Sequence, residues 1–214
     1  IGLVRKENQD AYLVRESGGH TICVVCDGMG GAAGGRLASQ IATETFVDEL
    51  ERLLAPGMEP EQLLSVSARA VFAANQAVRE AAAESEAYQN MGTTLVAAVS
   101  YAGGTVVTNV GDSRAYHVTR EGITRVTKDH SLVERMVDRG DITAEEARRH
   151  PSRNLITRAL GPDADAQCDG YICPMESGEY LLLCTDGLVN TVTDQEMLFE
   201  VIHGAEPDTS LDRM

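Results

Sequence analysis

Between residues 93 and 127 four apolar segments follow one another with almost nothing between them: TTLVAAVS, TVVTNV, RAYHVT and GITRVT, separated only by glycines and polar turns. That crowding constrains the fold more than any other feature of the chain. Parallel neighbours need a crossover of a dozen or more residues, and these gaps leave no room for one, so the sheet they build is expected to be largely antiparallel. Upstream, residues 11 to 15 (AYLVR) and 21 to 26 (TICVVC) read as a hairpin joined through ESGGH. From about Gly35 to Leu54 the apolar residues Leu37, Ile41, Phe46, Leu50 and Leu53 recur at helical spacing, and a second helix is expected from about Pro60 to Ser85. The two form an antiparallel helical pair. Capping-box signals open two short helices, at Ser131 with Glu134 and at Thr143 with Glu146; YLLLC is a further buried strand, and Thr193 with Glu196 opens a last helix. Helices, then strands, then helices argue for an α+β domain with two sheets packed face to face and helices outside.

Composition bounds the function. The chain has 214 residues and a formal net charge of -15, which disfavours a nucleic-acid partner, since phosphate-backbone binding relies on clustered Lys and Arg. It contains no apolar window long enough for a membrane span and opens with no signal-peptide pattern, so a single soluble domain is expected. The cysteines number five, an odd count at irregular spacing. Cys23 and Cys26 lie three apart in a strand, where they face opposite sides, so neither a disulfide framework nor a redox pair is expected, and the cytoplasm is the expected location.

The stretch TICVVCDGMGGAAGG, residues 21 to 35, places a carboxylate between a β-branched run and a glycine cluster. A phosphate-binding loop would need Lys followed by Ser or Thr after the glycines, which GMGGAAGGRLAS lacks; a dinucleotide fingerprint is met by Gly28, Gly30 and Ala33 only in its variant form. Asp27 is therefore read as presenting its carboxylate to a cation, with Gly28 lending a carbonyl; an Asp that merely forms a turn is the alternative for any one such residue. Asp10, Asp112 and Asp186 share the setting, each at the end of an apolar strand beside a glycine or polar turn, and Asp27-Gly28 and Asp186-Gly187 are the same dipeptide. Carboxylates converging from strand ends repel one another unless cations neutralise them, and oxygen-only ligation selects hard ions, Mg²⁺ or Mn²⁺. Arg5 is the natural fork for phosphate oxygens.

Seven ordered motifs carry a resemblance: VRKENQD (4 to 10), CDGMGG (26 to 31), MGTTLVAAV (91 to 99), NVGDSRAY (109 to 116), KDHSLV (128 to 133), NLITRALG (154 to 161) and LLLCTDGL (181 to 188). In number, order and spacing the sequence resembles the metal-dependent serine/threonine protein phosphatases of type 2C, and Met29 resembles the bacterial branch, where animal and plant members usually have His. The resemblance implies a four-layer αββα sandwich, two stacked antiparallel sheets flanked by antiparallel helix pairs, and hydrolysis of phosphoserine and phosphothreonine in proteins by water activated at two Mn²⁺ or Mg²⁺ ions. Asp27 would bridge the two ions, with the Gly28 carbonyl on one and Asp186 on the other; Asp112 would help hold a third ion; Arg5 would bind the phosphate and Asp10 would orient the attacking water. Residues 129 to about 150 would be a flap beside the cleft, and the implied partners are phosphorylated proteins, among them a bacterial Ser/Thr kinase and its substrates. The family pattern continues into a G-x-D-N segment that is not present before Met214, so the chain reads as a catalytic domain incomplete at its C-terminus. The competing reading is a non-catalytic phosphatase-like module that binds phosphoprotein.

Overall fold

The computed structural model describes residues 7–204. Strands β1 (Asp10–Ser17) and β2 (His20–Met29) form the hairpin, and α1 (Ala32–Leu53) and α2 (Pro60–Ala83) follow as the helix pair. After a 3₁₀ turn over Glu86–Tyr88 come β3 (Gly92–Thr93), β4 (Leu95–Tyr101), β5 (Gly104–Val110), β6 (Arg114–Thr119) and β7 (Gly122–Arg125), all in antiparallel pairings. Two short helices, α3 (Leu132–Asp138) and α4 (Ala144–Arg149), lead to β8 (Asp169–Pro174), β9 (Tyr180–Cys184), α5 (Asp186–Val189) and α6 (Asp194–His203).

The strands divide into two sheets. The larger has the order β1-β2-β4-β5-β8 with β3 paired to β2, and the smaller has the order β7-β6-β9. Strand periodicity assigns the layers. In β2 the even-numbered Ile22, Val24 and Cys26 pack against Phe46, Val47 and Leu50 of α1 and Val71, Ala74 and Val78 of α2. The opposite face of the large sheet contributes Val25, Val96 and Val107, which meet Ala115, Leu181 and Leu183 of the small sheet. The outer face of the small sheet, Tyr116, Val118, Leu182 and Cys184, is covered by Met197 and its neighbours on α6. The described residues thus stack as helices, sheet, sheet, helix, the α+β sandwich expected, with α5 and α6 forming the second outer layer.

Several details depart from the sequence reading. Asp27 does not end its strand: β2 continues to Met29 because Gly28 and Met29 pair with Thr93 and Gly92 of β3. Asp186 belongs to the first turn of α5, where an anionic side chain meets the positive end of the helix. Strand β8 was not foreseen; its sequence DGYICP carries Gly170 and Pro174, both weak strand formers, and it is tolerated as the outermost strand on β5. The expected box at Ser131 is half-made: the Ser131 hydroxyl accepts from the Glu134 amide at 3.2 Å, but the Glu134 carboxylate turns away to Arg125 at 2.7 Å. The boxes at Thr143 and Thr193 are complete.

Where α1 begins, helix and strand touch backbone to backbone. The Gly28 amide donates to the Gln9 carbonyl at 3.1 Å, and a methyl group added to Gly28 would lie 2.0 Å from the Gly35 carbonyl oxygen and 2.7 Å from that of Gln9. No side chain fits at residue 28. Gly28→Ala is expected to destabilise the fold by about 3 kcal/mol, the upper end of the usual overpacking cost, because both obstructing atoms are main-chain; urea unfolding of the purified variant measures it.

Candidate metal centre

Asp10 and Asp27 are directly opposed across the β1–β2 hairpin. Such cross-strand pairs put their Cβ atoms about 4.5–5.5 Å apart on one face, and like charges there are destabilising. The face is the one that carries Val25 towards the small sheet, so both carboxyls stand at the end of the inter-sheet layer. Asp186 arrives from the small sheet at the end of β9. Thr185, the N-cap of α5, makes no capping bond with its side chain and instead donates its hydroxyl to Asp10 at 3.4 Å, while Asn190 donates to the Asp186 carboxylate at 3.2 Å. Burial, then the neighbouring carboxyls of Asp10 and Asp186, push Asp27 up to about 8. Asp112, in the turn between β5 and β6, is pushed up to about 7 by burial first and then by Asp186 and Asp129. Burial and mutual repulsion thus disfavour the ionised form of both carboxyls, and a bound cation would relieve this.

Four sequence-predicted residues are therefore brought into one acidic region: Asp10 and Asp186 each lie close enough to Asp27 to disfavour its charge, and Asp112 is within electrostatic reach of Asp186. Gly28 lies beside them on β2. Arg5 lies outside the described residues. Among the described residues no three His, Cys, Asp or Glu side chains close around a single point as a cage; the carboxyls meet in pairs. A hard divalent ion does not need a cage, since Mg²⁺ in particular is held through one or two carboxylates and completes its shell with water and substrate oxygens. The donor set here, carboxylates and backbone carbonyls without Cys or His, fits such an ion. Two shallow surface hollows, one lined by Glu49, Arg69 and Phe72 and the other by Glu146, Arg149 and His150, lie elsewhere and include none of these carboxyls.

Sequence reasoning missed the groups that hold the carboxyls. Thr94 accepts from the Asp27 amide at 2.9 Å through its hydroxyl, and its own amide donates to the Asp27 carbonyl at 3.0 Å. Thr93 adds a hydroxyl bond to the same carbonyl at 2.9 Å. The Thr94 hydroxyl also bonds the Ser113 hydroxyl at 2.7 Å, so one buried side chain ties the strand carrying Asp27 to the turn carrying Asp112. Asp129 is clamped by Arg114 through contacts of 2.9, 3.2 and 2.6 Å, a bidentate pair behind that turn. The available signal is the motif MGTT itself, whose polar pair stands at the junction of β3 and the apolar strand β4.

A two-sheet sandwich with acidic side chains gathered at one end is a scaffold able to hold hard divalent cations, and the comparisons with known proteins name the class to which it belongs. Residues 5–208 match the model of the family described as Protein phosphatase 2C. The serine/threonine phosphatase stp of Listeria monocytogenes is 34% identical over 197 residues, covering 92% of this chain and 78% of that protein. Among solved structures, the serine/threonine phosphatase Stp1 of Staphylococcus aureus superposes with a TM-score of 0.91 at 34% identity, covering 99% of this chain and 83% of that one. The catalytic domain of the phosphatase PstP, solved in complex with two manganese ions, gives a TM-score of 0.81 at 31% identity, covering 99% and 85%. The chain belongs to the protein phosphatase 2C family and is a bacterial-type protein serine/threonine phosphatase.

Thr94→Val keeps the shape of the side chain but leaves the Asp27 amide and the Ser113 hydroxyl without their partner in a buried site. It is expected to cost about 2–3 kcal/mol, whereas Thr94→Ser, which retains the hydroxyl, should cost less than half of that; paired denaturation curves separate the two.

Proposed function

We propose that this phosphatase hydrolyses phosphoserine and phosphothreonine in proteins at a binuclear Mn²⁺ or Mg²⁺ centre and opposes a bacterial Ser/Thr kinase. The observation that carries the reading is the Asp10–Asp27 cross-strand pair with Asp186 against it, a concentration of carboxyls that costs the hairpin stability and that bound cations would offset. In this reading Asp27, the Gly28 carbonyl and Asp186 would hold the two ions, and Asp112 would help to hold a third. When bound, such ions lower the pKa of water towards neutrality and neutralise the phosphoryl oxygens.

The chain's own residues do the remainder. Asp10 is anchored by the Thr185 hydroxyl and, through its amide, by the Asn8 side chain at 3.1 Å, so its carboxylate is held as an acceptor that can orient a water molecule. Arg5 grips the phosphate through a charge-assisted fork. Met29, the last residue of β2, offers no proton at the position where other branches place His, so the leaving serine or threonine oxygen takes its proton from water or from another group. The segment from 129 to about 150 acts as a flap that selects the substrate.

Turnover of a phosphothreonine peptide is expected to vanish in excess EDTA and return on adding Mn²⁺, and Asp27→Asn is expected to lose metal binding and turnover together; undiminished turnover in the chelator would overturn the reading. Arg5→Ala is expected to act mainly on KM, by about 1.5–3 kcal/mol of lost binding to the charged phosphate. Steady-state kinetics with unchanged KM and kcat in that variant would remove Arg5 from the site.

A further inference from the structure

The histidine of the motif KDHSLV has no part in the proposed chemistry, yet both of its ring nitrogens are engaged. His130 is 7% exposed. Its Nδ1 accepts from the Gly111 amide at 3.0 Å, and its own amide donates to the Gly111 carbonyl at 2.9 Å, so both polar groups of Gly111 face this one residue. Because Nδ1 is an acceptor, the neutral ring carries its proton on Nε2, which faces the Asp169 carboxylate at 3.1 Å; the Arg158 guanidinium, 3.2 Å from the same nitrogen, is a donor that cannot bond it in this tautomer. Arg158 donates to the other oxygen of Asp169 at 2.8 Å and so fixes that acceptor. Gly111 has φ +103°, and a methyl there would meet Thr94 at 2.6 Å, so the turn can take only glycine and cannot be steadied by a side chain of its own. The carbonyl of His130 in turn accepts from Thr157 at 2.7 Å, and the Leu132 amide donates to Leu155 at 2.8 Å. These bonds join the two stems of segment 132–155 at the point where the Gly111 turn is held.

We propose that His130 is a positioning residue for the phosphatase reaction: braced by Asp169, its imidazole fixes the Gly111 turn and thereby aims Asp112, and its main chain ties that turn to the root of the flap. The inference rests on the reading of Asp112 as a cation ligand. Residues one step removed from a metal site commonly change its affinity by about 10–100-fold when replaced, because they set the ligand's orientation.

The two conservative amides divide the imidazole's duties. His130→Asn can keep an acceptor near the Nδ1 position, whereas His130→Gln keeps a donor near Nε2 and gives up the Gly111 bond. Mn²⁺ binding to the purified protein, followed by electron paramagnetic resonance without substrate, should be about tenfold weaker in His130→Gln and within about threefold of the parent in His130→Asn. The Gly111 amide resonance should move in the Gln variant only. Asp169→Ala, at a side chain 40% exposed, should fold normally and weaken Mn²⁺ binding about threefold. Asp112→Asn is the reference for the affected site. If Asp112→Asn binds Mn²⁺ like the parent, the cation reading fails and the inference with it. If Asp112→Asn weakens binding while His130→Gln and Asp169→Ala do not, or if both His130 variants weaken it equally, the positioning role is overturned and the cation reading stands.

Discussion

The opposition of Asp10 and Asp27 across a hairpin is the constraint around which the rest is arranged. Two carboxyls in register on one sheet face, with a third from the other sheet beside them, oppose the pairing that brings them together. The hairpin holds because its other face is driven into a large apolar layer: Ile22, Val24 and Cys26 are all but inaccessible beneath α1 and α2. A buried aliphatic side chain contributes about 1.5–3 kcal/mol, so Ile22 and Val24 together outweigh one like-charge pair. The acidic site is thus a local cost carried by the helix-side core, and a cation is the natural means of offsetting it from the other side.

Much of this was legible from local patterning. Alternation gave the strands of the two sheets, 3.6-residue periodicity gave α1 and α2, and the Asp-Gly dipeptides pointed to the carboxyls that the fold gathers. What stayed hidden depends on contacts distant in sequence. Strand β8 has too much glycine and proline to announce itself, and it forms because β5 offers it an edge and Tyr171 a place against the small sheet. Thr94 reads as an ordinary β-branched strand residue; only its bonds to Asp27 and Ser113 show that it joins two parts of the site. His130 and Asp169 are separated along the chain by two short helices and a loop, so nothing in their local sequence predicts that they meet.

The two sheets contribute unequally. The large sheet fixes Asp10 and Asp27 through continuous strand pairing, so their separation is set by the ladder. Asp112 and Asp186 sit just beyond strand ends, in a turn and a first helical turn, and depend on side chains for their aim: His130 and Ser113 for one, Asn190 for the other. Carboxyls held by a ladder are rigid by construction, whereas those held by side chains can be tuned by single substitutions.

The contact between Gly28 and Gly35 has a mechanical meaning. Side chains between a strand and a helix ordinarily act as a compliant layer, since rotamers can adjust and absorb a small shift. Here that layer is missing, and main chain rests on main chain. A displacement of a few tenths of an ångström at Asp27 cannot be taken up locally and must be passed to the first turn of α1 as a rigid push. The outer helix layer, remote from the carboxyls, is in this sense geared to them.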